Sequence, residues 1–393
     1  MGLLGKKEEG IGVYAHIPFC LSKCPYCAFN SVAAKDAAAY EERYVECLVK
    51  ELGARAGKEN IPGPLRTFYI GGGTPTLFSP EAIGKLLTSA IGIFGIGNSH
   101  GIESTIEANP DTLTPSKLAG YRRHGVNRLS IGFQSLDDAR LAALGRTHTA
   151  SRAAQAFKWG RDAGFENIGI DLIFGTPGQD PAGWQEELSS AALLKPEHIS
   201  LYGMTIEEGT PFYRRYGPGK TGLPGEDAES EMFSAAVKTL KSAGYRHYEV
   251  SNFALPGRES VHNSLYWKGA PYIGVGAGAH SYLPWPGWGR RWWNETRHEE
   301  YMGKVEADLD PSAGGEELGR DEAMIEAVML GLRMVDGGVN GERFKEKFGC
   351  YPGAALPGLE GLIKEGLVRK RGEDVLVTES GLLLLNEVAA RML

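Results

Sequence analysis

Three of the chain's five cysteines lie within eight positions, in the stretch HIPFCLSKCPYCAF. Cys20, Cys24 and Cys27 follow the spacing C-x3-C-x2-C. Thiolates bind zinc and iron–sulfur clusters, and such sites usually close with four protein ligands. The spacing therefore predicts a metal centre of one of two kinds. Either a distant residue such as His16 or His148 supplies the fourth ligand, or one coordination position stays open.

Glycine and polar residues also occur where predicted strands end. The run GGGTPT follows one strand-like segment directly, and Glu107, Gln134 and Asp171 lie at or near the ends of the next three. Neighbouring parallel strands are about 4.8 Å apart, so side chains at their ends can converge. We therefore expect these residues to form a binding site at one edge of a sheet, close to the cysteine loop.

Six short β-type runs, each followed by a helix-length amphipathic pattern, must position these residues. They cover residues 12–17, 67–70, 104–108, 128–133, 167–174 and 198–203. Repeated β/α units with apolar strands indicate a parallel sheet that is covered by helices. Eight units would close a barrel, so six predict an α/β fold with an open, three-quarter β/α barrel. Residues 247–253 are a candidate extra strand, and a doubly wound open sheet is the alternative.

The sequence divides into a barrel over residues 11–253, an aromatic, loop-rich extension over 254–306 and a Gly/Asp/Pro-rich linker over 307–315. Residues 316–393 have the pattern of helices, a hairpin and a last helix, which predicts a small winged-helix-like α+β domain. These residues carry 14 Asp and Glu against 10 Lys and Arg. A lid or packing role is therefore favoured over DNA binding, which requires a basic surface.

Composition limits the class of protein. Hydrophobic residues make up 42% of the chain, the net charge is −7 at pH 7 and the pI is near 5.8. The negative charge argues against a nucleic-acid partner. No apolar run reaches the roughly 18 residues that a membrane span needs, although peripheral contact with a membrane stays compatible. The N-terminus lacks the apolar core of a secretory signal, so we expect a cytoplasmic protein with reduced thiols.

The cysteine motif, which has a tyrosine before its last cysteine and a β-strand ahead of it, resembles that of the radical S-adenosylmethionine (SAM) superfamily. The resemblance implies a [4Fe–4S] cluster held by Cys20, Cys24 and Cys27, with the fourth iron left for SAM. It also implies that the glycine run contacts the methionine part of SAM and that one tyrosine approaches the adenine. The implied SAM contacts are Tyr14, Tyr26, Gly72, Gly73, Thr74, Glu107, Gln134, Arg146 and Asp171.

Over residues 11–393 the chain resembles the branch of this superfamily around oxygen-independent coproporphyrinogen III oxidase. The shared motifs are HIPFC, GGGTPT, IEANPD, SIGFQS, LGRTH and DLIFGTPGQ. Two features depart from the oxidase. Phe29 stands where the oxidase has a further cysteine, and only 13 residues precede Tyr14, where the oxidase has a long extension. Both departures fit the haem chaperone family HemW, whose H-N-x-x-Y-W motif reads HNSLYW at residues 262–267.

The resemblance to haem chaperones implies haem as a further ligand and His262 as a residue of its site. Neutral imidazole is a standard axial ligand of haem iron. Residues 285–293 add four tryptophans and two arginines, and aromatic faces with guanidinium groups suit a porphyrin with propionates. The glycine run GVGAGAH is expected to leave room beside the motif. An aromatic seam between domains is the alternative interpretation of the same segment.

These residues and motifs are compatible with three hypotheses about the function of the protein. The leading hypothesis is a haem chaperone that binds a [4Fe–4S] cluster and SAM, and hands haem to acceptor haemoproteins of the respiratory chain. The family implies a cluster-dependent homodimer. The second hypothesis is a radical SAM enzyme acting on a porphyrin, either coproporphyrinogen III oxidase or a related methylase or haem-degrading enzyme. The third is a zinc protein without iron. Phe29 argues against the oxidase, and the HNSLYW motif favours the chaperone.

Overall fold

The fold is built on one large mixed sheet. The structure is a computed structural model that describes residues 10–34, 37–59, 61, 63–97 and 101–392. Its strands are β1 (Ile11–Ile17), β2 (Phe19–Cys20), β3 (Val32–Ala33), β4 (Leu65–Gly72), β5 (Glu103–Ala108), β6 (Arg128–Gln134), β7 (Ile168–Phe174), β8 (His198–Gly203), β9 (Arg246–Glu249), β10 (Asn252–Ala254), β11 (Tyr272–Val275), β12 (His280–Leu283), β13 (Arg290–Asn294), β14 (Ser312–Glu317), β15 (Val368–Arg371) and β16 (Asp374–Val377).

Helices follow most of the strands. They are α1 (Ala38–Glu59), α2 (Pro80–Phe94), α3 (Pro115–Arg123), α4 (Asp138–Ala143), α5 (Ala150–Asp162), α6 (Pro181–Leu193), α7 (Pro211–Tyr216), α8 (Glu226–Ser242), α9 (Val261–Trp267), α10 (His298–Glu306), α11 (Arg320–Gly331), α12 (Gly341–Phe348), α13 (Pro352–Ala355), α14 (Leu359–Lys364), α15 (Glu379–Leu383) and α16 (Leu385–Met392). Of the helices in the described residues, none is long and apolar enough to cross a membrane.

Six strands, β1 and β4 to β8, run parallel and lie side by side in their chain order. Each is followed by one or two helices, which confirms the predicted six-unit partial barrel. A doubly wound sheet reverses its strand order at a switch point. These six strands show no reversal, so the doubly wound alternative is excluded. Because they are parallel, their carboxyl ends all lie at the same edge of the sheet.

Short sequence signals start several of the helices that cover the sheet. Ser79, Thr114 and Asp180 each accept a hydrogen bond from a backbone N–H of the first turn of α2, α3 and α6. A proline follows each of these caps, at the position where the missing N–H costs nothing and the fixed φ suits a helix. The caps place each helix directly after its strand-end loop, so the loops at the carboxyl edge stay short.

Further strands extend the six-stranded parallel sheet at both of its edges. The candidate extra strand at 247–253 forms two strands, β9 and β10, and β10 pairs antiparallel with β8. At the other edge β11 pairs parallel with β1, and β12, β13 and β14 continue antiparallel. Within the described residues this gives a sheet of twelve strands. The strand order begins at β14 and ends at β9, and these two strands do not pair with each other, so the sheet is open.

The expectation of a loop-rich segment over residues 254–306 is wrong, since α9, β11, β12, β13 and α10 occupy much of it. The expected linker 307–315 likewise contains the start of β14. These strands lack a clear alternation of apolar and polar residues because glycine occupies some of their positions. A Cβ on Gly274 would lie 2.1 Å from the His280 carbonyl oxygen, and one on Gly276 would lie 2.5 Å from that of His16. Gly274 and Gly276 therefore permit close backbone packing, whereas Gly278 and His280 of the same run line a cavity.

The C-terminal segment forms the helices α11 to α16 and the hairpin of β15 and β16, with a hydrophobic core of its own. Two backbone hydrogen bonds join α11 and the turn after it to β9 and its loop: Val250 N–H donates to the Arg333 carbonyl (2.9 Å) and Val335 N–H to that of Tyr248 (3.1 Å). The ring of Trp288 stacks on that of Phe348 at a centroid distance of 5.9 Å. This segment therefore packs against the edge strands of the large sheet.

Candidate functional site

The three cysteines of the motif lie at the end of β2 (Cys20) and in the loop between β2 and β3 (Cys24 and Cys27). These two strands pair in parallel, with Cys20 opposite Ala33, and the Cys27 N–H donates to the Cys24 carbonyl at 3.1 Å. The loop between them therefore begins and ends at neighbouring, paired strands. All three cysteines line one cavity of about 450 Å³ at the carboxyl ends of the parallel strands, which we call the cysteine cavity.

Each thiol has a polar side-chain atom within 4 Å. These atoms are Thr74 Oγ1, 3.6 Å from Cys20 Sγ; Arg146 Nη1, 3.4 Å from Cys24 Sγ; and Ser31 Oγ, 3.9 Å from Cys27 Sγ. Burial raises the pKa of the Cys20 thiol, and the hydrogen bond from Thr74 opposes this shift. Donors and cations beside a thiol favour the thiolate, which is the form that binds metal. The site therefore suits three metal-bound thiolates.

The zinc hypothesis requires a fourth ligand near the thiols, and the two candidates are engaged elsewhere. The His16 ring accepts from the Tyr14 hydroxyl (3.0 Å) and donates to the Asn30 carbonyl (2.7 Å). The His148 Nε2 donates to the Phe133 carbonyl at 3.1 Å. Among the described residues, no three His, Cys, Asp or Glu side chains converge closely enough to hold one metal ion.

The residues expected at the strand ends line the same cavity as the cysteines. They are Gly72 and Glu107 from β4 and β5, Gln134 and Asp171 from β6 and β7, and Tyr26, Gly73, Thr74 and Arg146 from loops. Because the parallel strands end at one edge, residues from separate parts of the chain meet within one cavity. The structure thus brings these predicted residues together, and their contact with SAM stays a prediction.

Two buried carboxyl groups lie between the strand ends. Glu107 accepts hydrogen bonds from the Tyr69 hydroxyl (2.8 Å) and the Gly72 N–H (3.0 Å). Burial raises the pKa of Glu107 to about 7, against the lowering effect of the Tyr69 hydrogen bond. Asp171 accepts from the Ser130 hydroxyl at 3.1 Å, and burial also raises its pKa. Glu107 can therefore change its charge near neutral pH.

The backbone at the cavity is constrained. Gly72 has a φ of 118° and Gln134 a φ of 64°, both in the left-handed region. A Cβ on Gly72 would lie 2.7 Å from the His16 ring, and a Cβ on Gly73 would lie 2.7 Å from the Phe19 carbonyl oxygen. The glycines are thus required where β4 passes the cysteine loop. A left-handed conformation at a non-glycine residue is strained, and such strain is concentrated at functional sites.

Tyr26 and Arg146 form one side of the cysteine cavity. The Tyr26 ring packs against Phe212 of α7 at a centroid distance of 5.9 Å, and the Phe212 N–H donates to the Pro25 carbonyl at 3.0 Å. Burial raises the pKa of Tyr26, and the neighbouring Arg146 guanidinium opposes the shift. The cavity thus offers a flat ring beside a cation, and the adenine contact that the resemblance implies for Tyr26 stays a prediction.

Tyr202 and Lys23 are among the residues of this cavity that sequence reasoning missed. Tyr202 lines it from β8 and is 45% exposed. The strand-end argument applies to this sixth strand as well, so the signal was present. Lys23 donates from Nζ to the carbonyl oxygens of Phe29 and Ser31, each at 3.1 Å, which closes the cysteine loop. A single lysine in a loop carries no comparable signal.

A second cavity of about 1120 Å³ adjoins the cysteine cavity and lies between the β1–β11–β12 part of the sheet and α11. We call it the aromatic cavity. Tyr14, expected beside SAM, lines this cavity and not the cysteine cavity. The other aromatic residues in its wall are Phe29, Tyr266, Trp267, Tyr272 and Tyr282, and the residues common to both cavities are Ala28, Phe29, Gly72 and Glu107.

His262 is placed differently from the expectation for a haem ligand. Its side chain is 1% exposed, and its ring nitrogens bond to Thr67 Oγ1 and Tyr266 Oη, each at 2.7 Å. Burial lowers the pKa of His262 to about 3. The ring also stacks on Tyr69 at 5.0 Å. In this structure His262 therefore positions the Tyr266 hydroxyl behind the wall of the aromatic cavity.

The tryptophan-rich segment 285–293 does not form the expected porphyrin surface. Trp292 is buried in the core, Trp288 stacks on the C-terminal domain, and Arg290 is paired with Glu59. Arg291 does line the aromatic cavity, where it pairs with Glu316 and, at 2.7 Å, with Glu326. Most of this segment thus forms an aromatic seam, which is the alternative interpretation of its sequence.

Comparison with protein families agrees with the two-part organisation. The profile of the radical SAM superfamily matches residues 14–191, and that of the HemN C-terminal domain matches residues 318–384. The first match includes the cysteine loop and five of the parallel strands. The second covers most of the helices and the hairpin after the large sheet.

Several curated proteins are similar to the chain along its length. The haem chaperone HemW of Bacillus subtilis is 36% identical over 95% of this chain and 97% of its own length. The HemW proteins of Mycobacterium tuberculosis and Escherichia coli are each 33% identical, over 100% and 97% of this chain and over 97% and 98% of their own lengths.

Among solved structures, coproporphyrinogen III oxidase (HemN) from Escherichia coli, a radical SAM enzyme, has the same fold. It superposes with a TM-score of 0.81 at 22% identity, over 98% of this chain and 90% of the oxidase. The likeness to the oxidase concerns the fold, whereas the identity to the HemW proteins is above 30% over nearly the whole length. The chain therefore belongs to the HemW family of haem chaperones within the radical SAM superfamily.

Proposed function

We propose that this protein is a haem chaperone that binds a [4Fe–4S] cluster, SAM and haem, and delivers the haem to acceptor haemoproteins. The observation that carries the proposal is that two cavities meet at the cysteine loop. One holds three thiols and the strand-end polar groups, and the other is larger and mainly aromatic. The full-length similarity to proteins named as haem chaperones supports the same function.

The residues present fit the cluster and SAM. Cys20, Cys24 and Cys27 would hold the cluster, which supplies an electron-transfer centre and an open iron for SAM when bound. Arg146 stabilises the Cys24 thiolate through its 3.4 Å contact. The Glu107 carboxylate favours the cationic sulfonium of SAM, and the backbone of the glycine run permits close approach. The protein thereby orients SAM and excludes water from it.

The finer features of the proposal come from the resemblance. The acceptors would be haemoproteins of the respiratory chain, and the chain would act in the cytoplasm. It would also form a homodimer when the cluster is bound. A size-exclusion comparison of reconstituted protein with cluster-free protein tests the dimer directly.

The environment of Phe29 bears on the alternative that the protein is an oxidase. By the resemblance, the oxidase has a further cysteine at the position of Phe29. Here the Phe29 side chain is 71% exposed at the boundary between the two cavities. It can pack against a ligand but offers no thiol. This favours binding of an apolar macrocycle over cysteine-dependent chemistry on it.

The deciding experiment uses the full chain after anaerobic cluster reconstitution. We expect haem binding by absorbance titration, transfer of the haem to an apo-haemoprotein, and no decarboxylation of coproporphyrinogen III. Cys24→Ser should lose iron and SAM binding, whereas Cys350→Ser, outside the motif, should keep both. Decarboxylated product without stoichiometric haem binding would refute the chaperone function in favour of the oxidase.

A further inference from the structure

The aromatic cavity has two unlike walls that together suit a flat ligand. On the sheet side the rings of Tyr266, Tyr272 and Tyr282 follow one another at centroid distances of 4.6 and 6.3 Å. On the opposite side Ile325 and Met329 lie one turn apart on α11 and are 39% and 40% exposed. Side chains four residues apart share a helix face. The space between the walls is therefore a broad slot.

The size of this slot fits a large ligand. Pockets for drug-sized ligands usually occupy about 300–1,000 Å³, and the aromatic cavity reaches about 1120 Å³. Exposed apolar side chains such as Ile325 and Met329 cost free energy in water, which a bound apolar face would recover. The volume of the cavity is therefore large enough for a macrocycle.

Among the described residues, two imidazoles line this cavity, and they differ in availability. Both ring nitrogens of His16 are hydrogen-bonded and its side chain is 6% exposed. His280, at the start of β12, is exposed and stacks on Trp293 at a centroid distance of 5.9 Å. In the part of the chain that the structure describes, no hydrogen bond involves its ring nitrogens. His280 thus has a nitrogen available for a metal ligand in the cavity.

The protonation state and the charges nearby agree with this role. Burial and the Arg291 guanidinium lower the pKa of His280, so the imidazole is neutral at physiological pH and can donate a lone pair to iron. Arg333, also in the cavity wall, lies over the Trp267 ring at 5.5 Å. A guanidinium at the rim can pair with a propionate.

We propose that His280 is the protein's axial ligand to haem iron, with the macrocycle held between the tyrosine wall and α11. This rests on the proposed haem chaperone function and assigns the haem site of that function. In this arrangement the HNSLYW motif does not bind the iron and instead supports the wall of the aromatic cavity. Tyr266 and Trp267 form part of the wall, and His262 positions Tyr266 through their hydrogen bond.

The test is a haem titration of the reconstituted full chain, followed by absorbance and electron paramagnetic resonance. His280→Ala should weaken haem binding about tenfold or more, on the scale of losing a metal-site group, and change the spin state of the iron. Added imidazole should restore the wild-type spectrum. His280→Met should keep haem but give the shifted spectrum of a thioether ligand.

Two further variants separate the roles of the residues. Ile325→Arg should block the slot and reduce haem affinity while leaving the iron content of the cluster unchanged. His262→Gln should alter affinity only modestly and leave the axial-ligand spectrum as in the wild type.

The outcomes are distinguishable. If the wild type binds haem and His280→Ala matches it in affinity and spectrum, the assignment is wrong and the chaperone function still stands. If only the His262 variant changes the axial spectrum, the iron ligand lies in the HNSLYW motif and the assignment is also wrong. If the wild type binds no haem, the proposed function fails and the site assignment fails with it.

Discussion

At the scale of single residues, we expect the charge state of Glu107 to affect SAM binding. Its carboxyl group lies within hydrogen-bond distance of the Gly72 N–H and the Tyr69 hydroxyl, and burial raises its pKa to about 7. SAM is a cation at its sulfonium, so the ionised carboxylate favours binding and the protonated acid does not. A small change in pH around neutrality therefore changes the electrostatics of the cavity.

We predict that SAM affinity of the reconstituted protein rises as the pH increases through about 7 and is level above it. Below that pH the affinity should fall by up to about tenfold per unit, the limit for one linked proton. Glu107→Gln should remove this dependence, and calorimetric titration between pH 6 and 8 measures it. An equally steep profile in the Gln variant would show that another group is responsible.

The raised pKa of Glu107 also affects the stability of the ligand-free protein, which we expect to fall as the pH rises, whereas SAM affinity should increase. The unfolded carboxyl releases its proton near pH 4.5, whereas the folded one holds it to about pH 7. The folded state therefore binds more protons between these values. The contribution of Glu107 to the free energy of unfolding is thus largest below pH 4.5 and is lost as the pH rises through about 7.

At the scale of elements, the end of β4 and the cysteine loop are in direct backbone contact. The Gly73 N–H donates to the Ile17 carbonyl and the Thr74 N–H to the Phe19 carbonyl, each at 2.8 Å. These bonds tie the loop after β4 to the segment that leads into Cys20. The geometry of the thiols therefore depends on the glycine run as well as on the cysteine loop.

Gly73→Ala should destabilise the protein and loosen the cluster. The added methyl would lie 2.7–2.8 Å from backbone atoms of Pro18 and Phe19, which cannot rotate away. We expect a cost of about 1–3 kcal/mol, typical of overpacking, and reduced iron retention. Denaturant unfolding and iron analysis measure both effects.

Gly92→Ala is the matched control. Gly92 lies inside α2, and a Cβ there meets nothing within 4 Å, so alanine should stabilise the helix by up to about 1 kcal/mol. Equal stability and iron content in the two variants would contradict the proposed contact.

The parallel part of the fold was predictable because its pattern is local and repeated. Apolar runs such as RLSIGF mark buried strands, and the cap–proline pairs mark the helices that follow. The edge strands β11 to β14 were missed because glycine replaces the apolar alternation at positions such as Gly274, where close backbone contact requires it. Pairing between distant segments determines those strands, and one sequence does not show it.

The candidate site was predictable to a similar degree. Strand ends of a parallel sheet converge, so the sequence alone places Glu107, Gln134 and Asp171 near the cysteines. The large aromatic cavity could not be anticipated, because its walls come from β11, β12 and α11. For the same reason the sequence could not distinguish His262, which faces the interior, from His280, which faces the cavity.

At the scale of the whole molecule, a buried polar cluster joins α1 to the added edge strands. Glu51 accepts from Tyr301 Oη (2.7 Å), Asn294 Nδ2 (2.7 Å) and the Gly276 N–H (2.9 Å), with Arg55 beside it at 3.5 Å. The Glu51 residue is 2% exposed, and burial raises its pKa. One side chain therefore connects segments more than 220 residues apart.

Glu51→Ala should be strongly destabilising. It would leave the Tyr301 hydroxyl and the Gly276 N–H without their acceptor and remove the carboxylate beside Arg55, and removing one member of a buried ionic cluster costs about 3–5 kcal/mol. Thermal unfolding monitored by circular dichroism measures the loss. Lys85→Ala removes an exposed pair with Glu46 and should cost at most about 1 kcal/mol. A similar small loss in both variants would mean that the buried cluster adds nothing beyond a surface pair.

The two cavities share the wall formed by Ala28, Phe29, Gly72 and Glu107. A ligand that moves this wall in one cavity changes the free energy of binding in the other. Reciprocity then applies: the factor by which SAM alters haem affinity equals the factor by which haem alters SAM affinity. A carrier must hold its cargo tightly in transit and release it on arrival. Because the two pockets share this wall, we expect the SAM-bound and SAM-free forms to hold haem with different strengths.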